Sequence, residues 1–243
     1  MSRLYFLNPI LACSFLLILG CSQPVSNPQN TFSLLPSVAE QYFKGEDSRI
    51  DVNTLKFAYS PTGDALPLLY GMTKQIQRVD QPENAQLEFS IQEDKSQSPE
   101  SYRLEITNEK IIIQAQSQAG LFYGFITLNQ LIEDAIAQDT PLPLLEINDA
   151  PKIAFRPIQI DVKHHLEKKS YYYDLLDELA QLKINGIILE IEDKLQYKRR
   201  PEVGSADALS IDEWRAISDY AIARNIKISP LVQGLGHASF VLK

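Results

Sequence analysis

The chain has 243 residues with a formal net charge of −8, 44% hydrophobic and 22% charged side chains. That composition belongs to a globular protein with room for one or two domains. The negative charge argues against nucleic acid or an anionic membrane surface as a partner and leaves neutral ligands open.

The first 21 residues place Arg3 before an apolar stretch, Ile10 to Leu19, that ends in Gly20-Cys21. This is a secretory signal pattern, too short to span a bilayer. Ile18-Leu19-Gly20-Cys21 resembles a bacterial lipobox, so lipidation at Cys21 is expected over simple cleavage. The expected location is the bacterial cell envelope, outer membrane or periplasmic side, held through the lipid on Cys21. The other cysteine, Cys13, lies inside the apolar stretch, so the mature chain is expected to have no disulfide and no cysteine-rich metal site. Residues 22–31, polar and proline-containing, read as a tether.

From Phe32 to Ala150 the pattern is mixed. Leu87, Phe89 and Ile91 alternate with polar residues, as do Tyr102, Leu104 and Ile106, and both segments read as half-buried strands. A turn at Asn108-Glu109 leads into "IIIQAQS", which predicts a hairpin. Leu121, Phe125, Leu128, Ile132 and Ile136 then recur at helical spacing. The first domain, residues 32–150, is therefore expected to be an α+β layer. The proline-rich stretch "QDTPLPLLEINDAPKIAFR" reads as a boundary near residue 150.

Beyond it the rhythm changes. Residues 158–162 read as a strand, and a helix is expected from Ser170 with Leu175, Leu176, Leu179 and Leu182 on one stripe, ended by Asn185-Gly186. Residues 187–192 form a second expected strand, Ser210 and Glu213 a capping box for a second helix, and residues 226–232 a third strand. Such alternation predicts a parallel sheet.

All three histidines, His164, His165 and His237, follow the carboxyl ends of expected strands, and Glu190, Glu192 and Asp193 close the second one. Ligands bind at that end of parallel sheets, so this is where a site is expected. Plainer readings exist: Asp161 and Asp193 as turn caps, Glu190 and Glu192 as a solvated strand face, His237 as a loop residue, 194–202 as a solvated loop, and Tyr171 to Tyr173 as packing. No HExxH, P-loop or GxGxxG occurs, and no cofactor or metal is expected.

At these residues the chain resembles glycoside hydrolase family 20, the β-N-acetylhexosaminidases. The segments that carry the resemblance are "PESYRLEITNEKIIIQAQSQAGLFYGFITLNQLI", "INDAPKIAFRPIQIDV", "LAQLKINGIILEIED" and "SPLVQGLGHA". The resemblance implies that residues 32–150 are the small α+β domain preceding a catalytic barrel, and that 151–243 begin a (β/α)8 barrel with about three of eight strands, a truncated form. It implies a terminal N-acetylhexosamine of a glycan as substrate, with Arg156 binding sugar hydroxyls and Asp193, His237 and His165 supporting the site. Pro157, Glu190 and Gln233 stand where the family commonly has glycine, histidine and aspartate. The implied mechanism is substrate-assisted: the acetamido oxygen attacks the anomeric carbon while a glutamate protonates the leaving oxygen and an aspartate orients the acetamido group. That Asp-Glu pair is expected past residue 243, so no catalytic residue is assigned within the chain. A reading from another class is a non-catalytic envelope lipoprotein that uses its first domain as a binding module.

Overall fold

The computed structural model describes residues 32–58, 77–79, 81–234 and 237. The signal segment, Cys21 and the tether lie outside the described residues. Among the described residues, two sheets and three α-helices make up an α+β architecture.

The larger sheet has seven strands: β1 (Glu40–Asp47), β2 (Lys56–Ala58), β3 (Gln77–Val79), β4 (Leu87–Ile91), β5 (Tyr102–Ile106), β6 (Ile111–Ala115) and β7 (Pro143–Asp149). Their order is β1-β7-β5-β6-β4-β2-β3. The expected hairpin is present, with β5 antiparallel to β6 and Leu104 opposite Ile113. Its turn is closed by Thr107 and Lys110, whose backbones bond at 2.8 Å. β4 runs parallel to β6, so the sheet is mixed.

Alternation sends Leu87, Leu104, Ile106, Ile111 and Ile113 to one face, where each is fully buried. α1 (Gln118–Gln138) covers that face. The Ser117 hydroxyl caps it by accepting from the Ala119 and Gly120 amides at 3.0 and 3.5 Å. Asp139, in the left-handed region, closes it. Gly120 is needed at its position, because a Cβ there would stand 2.4 Å from the Ser101 carbonyl oxygen. Helix and sheet therefore touch backbone to backbone.

Four strands of this sheet, β1, β2, β3 and β7, were not read from the sequence. Residues 143–149 were expected in a proline-rich boundary, yet β7 sits inside the sheet between β1 and β5. The prolines fall at its start and beyond its end, where no ladder amide is lost. β1 was not expected either. It is an edge strand, mostly exposed, so no apolar alternation marks it.

The smaller sheet is parallel, in the order β10-β9-β8: β8 (Pro157–Asp161), β9 (Gly186–Glu190) and β10 (Lys227–Leu231). α2 (Lys169–Gln181) and α3 (Ile211–Ile222) provide the connections. The Ser210–Glu213 capping box is present in both directions. Tyr172, Leu176, Trp214 and Ile217 bury against Ile187 and Leu189. α2 ends earlier than expected, at Gln181. Lys183, at φ 55°, turns the chain, and Gly186 already belongs to β9. Gly186 answers to packing instead, since a Cβ there would lie 2.4 Å from the Phe155 ring.

Buried polar groups join the two layers. Lys183 Nζ donates to Asp149 Oδ2 and to the Tyr102 hydroxyl, each at 2.9 Å. Tyr102 donates to Asp149 Oδ2 at 2.8 Å, so the hydroxyl of Thr127, 2.6 Å away, must be the donor to the Tyr102 oxygen. Burial, and then the charge of Asp149, pushes the Tyr102 hydroxyl well above its ordinary range. Burial lowers the Lys183 ammonium, with Asp149 pulling the other way.

Candidate functional site

The carboxyl ends of β8, β9 and β10 lie in register, with Asp161 opposite Glu190 and Glu190 opposite Leu231. Strand periodicity puts Gln159 and Glu190 on the face away from α2 and α3. Glu190 is the hub there. Its carboxylate accepts from Gln159 Nε2 at 3.2 Å, from Gln233 Nε2 at 2.7 Å and from Lys163 Nζ. Lys163 also donates to Asp161 Oδ2 at 2.7 Å, while its backbone amide bonds Asp161 Oδ1 at 3.0 Å.

These bonds fix the charges. Donation from Lys163, and then from Gln233, holds the Glu190 carboxyl below its usual range. Burial works to raise Asp161, but the bonds and charge of Lys163 outweigh it and the net shift is downward. Donation to Asp161 and Glu190 raises the Lys163 ammonium. At neutral pH the group is two carboxylates around one ammonium.

Beyond β9 the chain makes a strained turn. Glu192 adopts φ 40°, a left-handed conformation that costs a non-glycine residue on the order of 1 kcal/mol or more. The surroundings hold it there. Tyr197 donates to the Glu192 carbonyl at 2.7 Å, Ser205 N to the Asp193 carbonyl at 2.8 Å, and Trp214 Nε1 to the Lys194 carbonyl at 2.9 Å. The Glu192 side chain is fully buried; Oε1 accepts the Gln233 amide at 2.9 Å, and Oε2 has no hydrogen-bond partner among the described residues. Asp193 is buried beside it, with Lys194 Nζ 3.8 Å away. The segment 194–202, expected as a solvated loop, is anchored at its start and exposed at Gln196 and from Lys198 to Glu202.

The residues singled out from the sequence divide. Glu190, Glu192 and Gln233 come together at this end, and Asp193 follows them in the turn. His165 is close in sequence but points outward, 76% exposed and 2.9 Å from Glu167. His164 is exposed next to Asp161, and His237 is exposed with its amide bonded to the Gly234 carbonyl at 3.2 Å. Arg156 stands at the other end of the sheet because it precedes β8. Its guanidinium donates to the Lys183 carbonyl at 2.9 Å and the Ile153 carbonyl at 2.7 Å, and it pairs with Glu100 at 2.7 Å. Tyr123 lies under it, 5.5 Å from ring centre to guanidinium carbon. Burial, then the charge of Glu100, pushes the Tyr123 hydroxyl to about 12, with Arg156 opposing. In this structure Arg156 clasps the two layers together and is not part of the acidic end.

Lys163 was missed from the sequence. Its signal was slight: a basic residue two positions after Asp161, where an Asx turn folds its side chain back. Among the described residues no cluster of histidine, cysteine or carboxylates is arranged to hold a metal ion. The carboxylates and the Gln233 amide offer acceptors and donors suited to hydroxyl groups.

Residues 33–150 match glycosyl hydrolase family 20, domain 2. The beta-hexosaminidase of Vibrio vulnificus is 25% identical over 187 residues, covering 63% of this chain and 22% of its own length. Among solved structures, the beta-N-acetylhexosaminidase of Bacteroides fragilis superposes with a TM-score of 0.71 at 23% identity, over 86% of this chain and 46% of its own. The N-acetyl-beta-hexosaminidase of Streptomyces plicatus, solved with Thio-NAglucal, gives 0.70 at 22% identity, over 90% and 49%. The chain thus spans about a fifth of that curated relative and about half of those solved chains. At these identities the solved structures speak for the fold.

Proposed function

We propose, from the premise that the chain carries domain 2 of glycosyl hydrolase family 20 over residues 33–150, that it belongs to an enzyme removing terminal N-acetylhexosamine from glycans. The three-stranded sheet is then the start of a (β/α)8 barrel, and its carboxyl end is the sugar-facing end. The observation that carries this reading is the acidic, backbone-anchored end of β9, where Glu190, Glu192 and Gln233 converge and Asp193 follows.

In this reading Asp193 and the Gln233 amide meet sugar hydroxyls, and His237 and His165 stand at the rim. Arg156 acts as a positioning residue that sets β8 against Glu100. The proton donor of the reaction is neither Glu190 nor Glu192. Glu190 is held ionised by Lys163, and Glu192 is sealed from solvent. The substrate's acetamido oxygen supplies the nucleophile, and the displaced oxygen takes its proton from a carboxylic acid outside the described residues.

The native gene product should release nitrophenol from a chromogenic N-acetyl-β-glucosaminide and not from the matching glucoside. Asp193→Asn should lower kcat/KM about 10- to 100-fold, the size of one charged hydrogen bond. No release from either substrate, or an indifferent Asp193→Asn, overturns the reading. We also propose that Cys21 is lipidated and holds the protein in the cell envelope. Labelled palmitate should enter the wild type and not Cys21→Ala; equal label in both overturns it.

A further inference from the structure

A groove lined by several polar side chains lies away from the acidic end. It opens where β5 begins and β6 and β7 end, with a volume of about 430 Å³. That is within the range of ligand pockets, roughly 300–1,000 Å³. Register builds its wall: Glu40 pairs with Asn148, Asn148 with Arg103, and Arg103 with Gln114. One polar row therefore crosses β1, β7, β5 and β6 on the face opposite α1. Gln92, Gln97 and Gln116 add amides just past the strand ends.

Much of this bonding capacity is free. Gln92 and Gln114 have no side-chain partner among the described residues. Arg103 uses Nε on Glu146 at 3.1 Å and Nη2 on Glu105 at 3.2 Å, which leaves Nη1. Asn148 donates to Glu146 at 3.3 Å and keeps its oxygen. Gln97 and Gln116, by contrast, brace each other and Asp94, so that rim is stiff.

The chemistry selects a ligand. Glu40 and Asp149 line the cavity, and Arg103 is already shared by two glutamates, so an anion is disfavoured. The apolar lining beside Tyr102 is Ala39, Ala115 and Ala150, too small to anchor a lipid or an aromatic side chain. Side-by-side amide donors and acceptors fit vicinal hydroxyls, each of which donates and accepts. Tyr42, two residues along β1 from Glu40, is 57% exposed on the same face and offers a ring for a sugar to lie on.

We infer that this groove of the first domain binds a neutral oligosaccharide, separately from the acidic end of β9. It would hold a stretch of the glycan distant from the sugar being removed. The inference rests on the reading of the chain as acting on glycans.

The probe is the pentamer of β-1,4-linked N-acetylglucosamine, titrated into the 243-residue chain by calorimetry and by amide chemical shifts. Saturable binding is expected, with shifts at Arg103 and Gln114. The double variant Gln92→Ala, Gln114→Ala should weaken it at least about tenfold, roughly one hydrogen-bonding group per site. Its thermal unfolding should be unchanged, because both side chains lack partners. Asp193→Asn should leave this binding intact. No saturable binding up to about 10 mM, below an affinity of roughly 3 kcal/mol, overturns the groove. So does unchanged affinity in the double variant, or binding lost through Asp193→Asn alone; that last result would leave the proposed hydrolase standing. Groove binding by a native product without N-acetylglucosaminidase activity would keep the groove and defeat the proposed hydrolase.

Discussion

In the seven-stranded sheet the face under α1 is closed: Leu104, Ile111, Ile113 and Leu128 are fully buried against one another. In the three-stranded sheet α2 and α3 close one face, while the other carries Gln159, Glu190 and an exposed Ser229. The first sheet keeps its polar row on an outer face in water. The second brings carboxylates to the end of a strand, where the Lys163 ammonium offsets their charge and the Gln233 amide donates to them. A closed face is stabilised by area alone, whereas an open one depends on the pairing of charges.

The contrast can be broken most forcefully where the layers meet. Lys183→Ala leaves the half-buried Asp149 without its cation and should cost about 3 kcal/mol in urea unfolding. A variant as stable as wild type would show that the junction contributes nothing to holding the layers together. Within the closed layer, Leu128→Ala should cost about 2–5 kcal/mol, the price of an apolar cavity. A loss under 1 kcal/mol, well below that range, would mean the face under α1 is loosely packed.

The open layer should respond differently. Glu190→Gln removes one of the two carboxylates at Lys163 and should cost about 1 kcal/mol, since Asp161 remains. Residues 1–243 expressed alone should show no turnover of a chromogenic N-acetyl-β-glucosaminide, with or without this change. Turnover by residues 1–243 that Glu190→Gln abolishes would place the acid on β9 and overturn the assignment.

The smallest effects concern α3. Ser210→Ala should cost about 1 kcal/mol as a lost cap. Donation from Lys169, then from Ser210, holds Glu213 at about 2, and bonds from Ser205 and Lys194 hold Asp207 at about 2. Both folded values lie below the ordinary 4.5 and 3.8. Their stabilisation is therefore full above those values and lost as pH falls from there toward 2. The melting temperature should drop across that window, and less steeply in Glu213→Gln. An equal slope in both would show that the capping box carries none of the acid sensitivity.

Much of this was legible from local pattern. The β5–β6 hairpin shows in its alternation, α1 in its helical spacing, and α3 in Ser210 and Glu213. β1 and β7 were not legible. An exposed edge strand lacks alternation, and Pro143 and Pro151 look like linker signals although they flank a strand at positions where a missing amide does no harm. The acidic residues of the candidate site were visible as a cluster, but Lys163 was not, because nothing local tells that its ammonium folds back onto Glu190.

By itself, the sequence determined the alternation of strands and helices beyond residue 150 and placed carboxylates and histidines after parallel strands, since periodicity and capping act over a few residues. Only the tertiary structure decided which of those residues meet. Register laid Asp161, Glu190 and Leu231 side by side and left Arg156 five residues away, at the far end of β8. Packing turned His165 outward and drew Gln233 over two glutamates. Contacts between residues 40 or more apart depend on the fold closing, and no local spacing encodes them.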